Sequence, residues 1–268
     1  MKKNNLIILK IGGSVITDKE HNRKRINKKN LRRIAKEIAQ AKNKNGFSLI
    51  IVHGAGTFGH KIAKKFNLHQ GYKNNLQIKA ISDLCLDLKK LNIEVIKYLK
   101  KEGIEAITFK QSSAWQLSNG RLENYNLEII RNYLSLNLTP VLFGDILVDK
   151  KLKFSILSGD QIIYRLAKKL TVNKVIVGTD IDGIFNCNPK TNKRAKLIKK
   201  VNGKNINNFL IENSTSIDVT RGMNGKVCEL INLAKSGTES EIINITKSNI
   251  LKKALLGQNG LGTIIKTN

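Results

Sequence analysis

A chain of 268 residues, 41% of them hydrophobic, carries enough apolar material for a sizeable core, which excludes a disordered protein. No apolar run approaches the roughly 20 residues that span a bilayer. The run after the N-terminal lysines stops at Lys10, too soon for a secretion signal of ~7–15 apolar residues, so a cytoplasmic protein with no membrane partner is expected. Lys and Arg number 48 against 20 Asp and Glu, a net charge of +28, so the surface attracts anions. The lysines are scattered through every helical segment and aromatic residues are only 5%, which offers nucleic acid neither a basic arm nor a stacking platform. A small phosphorylated ligand suits the charge better. The three cysteines are widely spaced, with no metal-ligand pattern, and fit a reducing compartment.

In chain order, "LIILKIGG" predicts a buried strand ended by glycines. Leu31, Ile34, Ala35 and Ile38 then recur at helical spacing, with charges on the opposite face. "FSLIIVHG" is a second buried strand, followed by the glycine turn "HGAGTFGH" and the short helical run "HKIAKKF". A long helix from about 76 to 100 carries Ile81, Leu84, Leu88, Leu91, Val95 and Leu99 along one stripe. "EAITFK" reads as a strand, "RLENYN" as a turn into the helix "LEIIRNYLSL", and "TPVLFGDIL" as one strand. "VDKKLKF" reads as a hairpin, and "SGDQIIYRLAKKL" as a glycine turn entering a helix. "KVIVGTDIDGIF" is a strand that runs into an acidic loop, and "RGMNGKVCELINLAKSG" a helix bounded by glycines. "EIINIT" and "GTIIK" are late strands. Apolar strands without alternation, interleaved with helices, predict an α/β fold whose mostly parallel sheet is covered on both faces. Ligands belong beyond the carboxyl ends of such strands. No linker or internal repeat divides the chain, so residues 1–268 read as one domain.

Four glycine turns follow predicted strands: "KIGGS", "HGAG", "SGD" and "RGMNG". One alone says little, since glycine is the default residue of a tight turn. Four at one end of a sheet gather backbone N–H groups, which suits phosphate oxygens. Their spacing is neither the phosphate loop ending in Gly-Lys-Ser/Thr nor the dinucleotide fingerprint. Lys10 interrupts an apolar strand two residues before Gly12, where a buried ammonium is costly unless paired. Either its strand is an edge from which it reaches solvent, or its charge serves a transferring phosphate. Lys19, in the next loop, reaches the same place or is simply solvated. His60 opens a helix just after the glycine turn, where it can donate a hydrogen bond to an acceptor phosphate. Asp145, Asp160, Asp180 and Asp182 fall at strand ends, where they serve Mg²⁺ and lysine orientation, or else turns and caps; capping fits Asp160 best. Lys226 stands near the start of a helix, where a cation opposes the macrodipole unless it meets an anion.

"LKIGGSVITDK", "VHGAGTFGH", "FGDI" with "SGD", "GTDIDGI" and "SIDVTRGMNGK" together resemble the isopentenyl phosphate kinases of the amino acid kinase superfamily. The motifs stand in the family's order and cover nearly the whole chain. The resemblance implies a three-layer αβα sandwich with a mostly parallel central sheet, usually a homodimer. It implies ATP-dependent, Mg²⁺-assisted phosphorylation of isopentenyl phosphate to isopentenyl diphosphate, a step of isoprenoid biosynthesis by an alternative mevalonate pathway. Lys10, Ile11, Gly12, Gly13 and Ser14 would then wrap the ATP phosphates, and Lys19 would stabilise charge in the transition state. Ala55 and Gly159 would contact the acceptor, Gly56 the ATP, and His60 the acceptor phosphate. Asp180, Gly222 and Lys226 would line the nucleotide side, so the N-terminal part forms mainly the acceptor site and the C-terminal part mainly the ATP site. No protein-built metal site is implied. Fosfomycin kinases also present a histidine at this place and are the rival reading, whereas kinases of acetylglutamate, carbamate and uridylate lack the "GxFGH" ending. A nucleotide-binding regulator without chemistry and a nucleic-acid-binding protein are the alternatives from other classes. Arg221 departs from the pattern, standing where the family usually has a glycine; a positive φ there would strain it, and the alternative is that it adds a phosphate contact.

Overall fold

The computed structural model describes residues 5–18, 24–187, 189, 191–202 and 221–267, without the side chains of residues 221–226. The chain runs from β1 (Leu6–Ile11) through the short α1 (Gly13–Ile16) and α2 (Lys28–Asn45) to β2 (Ser48–His53). After a 3-10 turn at Gly56–Phe58 come α3 (His60–Lys65), α4 (Leu76–Lys101) and β3 (Ala106–Thr108). Then follow α5 (Gln111–Ala114), β4 (Trp115–Ser118), β5 (Arg121–Tyr125), α6 (Glu128–Ser135), β6 (Thr139–Phe143), β7 (Asp145–Asp149) and β8 (Lys153–Leu157). The rest comprises α7 (Gly159–Lys169), β9 (Lys174–Thr179), β10 (Ile184–Phe185), β11 (Leu197–Ile198), β12 (Lys200–Val201), α8 (Arg221–Lys235), β13 (Ser240–Asn244), α9 (Ile250–Leu255) and β14 (Thr263–Ile265). None of the described helices is long and apolar enough to cross a membrane.

Eight strands form one sheet in the order β12-β14-β13-β9-β1-β2-β6-β3. The run from β13 to β3 is parallel, while β14 runs against β13 and carries β12 alongside it. Successive side chains of a strand face opposite ways, and β1 divides its residues accordingly. Ile8 joins a core with Ile130 of α6, Ile162 and Leu166 of α7 and Leu230 of α8. Ile7, Leu9 and Ile11 join the other, with Leu31 and Ile34 of α2, Leu91 and Val95 of α4 and Leu251 of α9. Helices therefore cover both faces, and the molecule is the expected αβα sandwich. A third apolar cluster, with Leu84 and Leu88 of α4, Phe143, Ile146 and Phe154, lies under the first half of α4.

Two expectations fail in the middle of the chain. "RLENYN" is not a turn: Arg121–Tyr125 pairs antiparallel with Trp115–Ser118 across Asn119-Gly120, both at positive φ. That is the backbone that two-residue hairpin turns demand. "TPVLFGDIL" is not one strand either. Gly144 breaks it, and β7 turns out of the main sheet into a four-stranded one of order β5-β4-β7-β8. The hairpin expected at "VDKKLKF" is β7–β8, held by Asp149, which accepts from the N–H groups of Asn119, Gly120, Lys151 and Leu152 at 2.7–3.0 Å.

Candidate active site

The order of the sheet brings the ends of three strands to one place, two of them followed by glycine turns. β1 lies between β2 and β9, and Ile11 is level with His53 on one side and Gly178 on the other. The chain therefore leaves β1, β2 and β9 at the same end, where the connectivity reverses direction across the sheet, the place where such folds bind ligands. The turns touch backbone to backbone. Gly12 N–H donates to Gly178 O at 2.8 Å and Gly54 N–H to Ile11 O at 2.9 Å. A Cβ on Gly54 would lie 2.6 Å from Gly13 N, and one on Gly13 would collide with Gly56 N. Gly56 has φ +51°, open to glycine at little cost. Thr17 staples the first two turns: its hydroxyl donates to Gly13 O at 2.7 Å and accepts from Thr57 N–H at 3.1 Å. The N–H groups of Ala55 and Gly56 meet no acceptor among the described residues.

Lys10 does not sit on an edge; its strand is interior and the residue is only 5% exposed. It follows Ile8 in the alternation, so it faces α7, where its ammonium pairs with Asp160. Asp160 is not the helix cap expected of it. Ser158 caps α7, its Oγ accepting from Gln161 N–H at 3.2 Å, which leaves the Asp160 carboxylate to hold Lys10. The "SGD" sequence held the signal for this pair, but the partners lie 150 positions apart. Gly159 belongs to the same spot, since a Cβ there would lie 3.5 Å from Lys10 Cε.

Ser14 opens onto the loop after β9, its Oγ donating to Asp180 Oδ1 at 2.8 Å. Asp182 is taken by Lys247 at 2.6 Å and by Asn244 Nδ2 at 3.0 Å, and the Lys247 hydrogen bond holds its carboxyl below the usual range. Asp145 follows Gly144, whose N–H donates to His53 O at 3.3 Å, and stands at the start of β7, where burial raises its pKa. Neighbouring Cys85 is pushed up to about 11 by its own burial and by Asp145, so it is no nucleophile. Ala55 and Gly56 stand in the second turn, and His60, exposed at the start of α3, closes it. The structure thus gathers Lys10, Ile11, Gly12, Gly13, Ser14, Ala55, Gly56, His60, Gly159 and Asp180 at one end of the sheet. Lys19 lies outside the described residues. Gly222 and Lys226 lie on α8, but the Lys226 side chain is outside the described set. Arg221 opens that helix, so its backbone is helical and not left-handed.

Lysine orientation was one of the roles the sequence offered Asp160, without Lys10 as its named partner; the Thr17 staple and His53 had no signal there. His53 is fully buried at the end of β2, and burial lowers its pKa to about 4.

The amino acid kinase family pattern matches residues 5–244. The isopentenyl phosphate kinase of Methanothermobacter thermautotrophicus is 39% identical, over 97% of this chain and 98% of that protein. That of Methanocaldococcus jannaschii is 36% identical, over 94% and 96%. Among solved structures, an isopentenyl phosphate kinase at 38% identity superposes with a TM-score of 0.85, covering 98% of this chain and all of the other. With the sheet order, the touching glycine turns and near-complete coverage by these relatives in agreement, the chain belongs to the amino acid kinase family, among its isopentenyl phosphate kinases.

Proposed function

We propose that this protein transfers the γ-phosphoryl group of ATP to the phosphate of isopentenyl phosphate, giving isopentenyl diphosphate and ADP. The observation that carries the reading is the meeting of the turns after β1 and β2 beside a buried lysine, with His60 at the mouth of the second turn. Relatives named for this activity match over nearly the full chain and support it. An acceptor phosphate has a second pKa of about 6 and is mostly dianionic at neutral pH. It needs no general base. Its oxygen attacks the γ-phosphorus in line, the new P–O bond forms, and the bond to the β-phosphate oxygen breaks with ADP leaving. The barrier is the approach of two anions, so positioning and charge neutralisation carry the catalysis.

In this reading the stretch Lys10–Ser14 and Gly56 cradle the ATP phosphates, with Asp180, Gly222 and Lys226 on the nucleotide side. Lys10 and Lys19 neutralise the group in transit. Ala55, Gly159 and His60 hold the acceptor, and its apolar tail lies against the cluster under α4. The N-terminal part of one domain would serve the acceptor and the C-terminal part ATP, and a homodimer is the proposed assembly. Mg²⁺ usually keeps waters and phosphate ligands with only one or two carboxylates. Asp160 and Asp180, which stand at this end of the sheet, fit that use. Bound there, the ion would offset phosphate charge.

ADP release measured across isopentenyl phosphate, dimethylallyl phosphate, fosfomycin, acetylglutamate, carbamate and UMP tests the reading. Preference for isopentenyl phosphate is expected, and selective turnover of fosfomycin would overturn it. Activity should vanish in excess chelator and return with added Mg²⁺.

A further inference from the structure

His53 is fully buried, and its ring stacks on Phe143 with centroids 5.3 Å apart. A buried imidazole needs both nitrogens satisfied, and the hydrogen bonds that satisfy this one run in a single direction. Thr108 Oγ1, on β3, donates to Asn92 Oδ1 at 2.6 Å. That turns the amide nitrogen of Asn92, buried on α4, towards His53 Nε2 at 3.1 Å, so Nε2 accepts. The ring proton is left on Nδ1, which donates to the Gly54 carbonyl at 3.2 Å. The relay begins on the outermost parallel strand and ends on the first peptide of the glycine turn.

That peptide has two ends. Across a trans peptide the C=O and the following N–H point in opposite directions. With the Gly54 carbonyl held against the histidine, the Ala55 N–H faces away from the ring, and no acceptor among the described residues takes it. We propose that His53 is a positioning residue: through Thr108, Asn92 and its own Nδ1–H it locks the Gly54–Ala55 peptide so that Ala55 N–H is presented to the acceptor phosphate. The inference rests on the phosphoryl-transfer reading above and adds a residue that touches neither substrate. Burial keeps the ring neutral at physiological pH, so its one proton and one lone pair stay assigned.

Two substitutions separate the two nitrogens. His53→Asn puts an amide N–H near the Nδ1 position and gives up Asn92. His53→Gln reaches Asn92 and leaves the Gly54 carbonyl without its donor. Steady-state kinetics with isopentenyl phosphate and ATP, beside thermal melting, compare both with the wild type. His53→Asn is expected to keep kcat within about threefold. His53→Gln is expected to lose roughly 5- to 150-fold, the kinetic equivalent of one buried group left unpaired, with the ATP KM unmoved. Equal losses that track the fall in melting temperature would mean that His53 only packs, and the proposal fails. Thr108→Val tests the relay with the ring in place, should the His53 variants not fold. It frees Asn92 to flip and reverse the tautomer, so a several-fold drop in kcat is expected, and an unchanged kcat overturns the relay. Wild-type turnover of isopentenyl phosphate is established first. If fosfomycin is turned over instead, the substrate reading alone falls, and the same variants are compared on that acceptor.

Discussion

Lys10 is kept in place by a carboxylate, and that pairing lets its proposed chemical role be tested apart from its structural one. Lys10→Met should lower kcat by about 10²–10³, the usual loss for one preorganised charge contact, and should also lower the melting temperature by stranding Asp160. Adding Asp160→Asn removes the stranded charge, so stability should return while kcat does not. Recovery of kcat in the double variant would make Lys10 a purely structural cation. His60 gives a different signature. If it donates to the acceptor phosphate, His60→Ala should raise the acceptor KM and lower kcat by about ten- to a hundred-and-fifty-fold, with little effect on the ATP KM. His60→Gln, which still donates, should lie between; equal damage from both, with the acceptor KM unmoved, would point to acid–base chemistry. His53 sets an acid limit on stability. An unfolded histidine takes up its proton near pH 6.5, whereas in the fold it does so only at about 4. Between these values the unfolded chain binds more protons, so stability falls as pH drops, by up to about 1.4 kcal/mol per pH unit. Denaturant melts of the wild type and His53→Asn between pH 7 and 4.5 should diverge, the variant showing the shallower decline.

At the level of elements, the glycine turns act as joints between strands. A methyl group at Gly13 has nowhere to go, because Gly56 N already occupies the space. Gly13→Ala should therefore push the first two turns apart and abolish measurable transfer, with the main sheet preserved by circular dichroism. These turns were legible in the sequence because each is local: glycines after an apolar run. The same holds for β1, β2 and β9, which are continuous apolar runs, and for α2 and α4, whose helical periodicity is long and regular. The second sheet was harder. Asn119-Gly120 is a strong hairpin signal, but short polar flanking strands, with Leu122 the only buried residue between Arg121 and Tyr125, hid it. The break at Gly144 was equally hidden, since apolar residues continue on both sides of it. What could not be read at all were the contacts that join distant elements. The Thr17 staple, the Asp160 partner of Lys10 and the His53–Asn92–Thr108 relay each depend on which strands become neighbours, and periodicity does not encode that.

Over the whole molecule, the net charge of +28 favours anionic substrates before any specific contact forms. Raising ionic strength beyond the ~8 Å screening regime of physiological salt should increase both KM values several-fold and leave kcat nearly unchanged. A kcat that falls with salt while KM stays constant would place the charge effect in the transition state instead. The sheet order also bears on how the protein is made. β1 is synthesised well before β9, which it needs on its far side, and Lys10 must wait for Asp160, 150 positions later. At about 5–20 residues per second that is a delay of roughly 8–30 s, during which one edge of β1 stays open. An open apolar edge invites pairing with other nascent chains. Lys10 interrupts that edge with a charge, and charged residues are what keep unfinished edges apart. A charge at Lys10 is therefore expected to keep nascent chains apart before it is buried beside the glycine turns, and the Lys10→Met, Asp160→Asn chain, its folded stability restored, should still yield more insoluble product than the wild type.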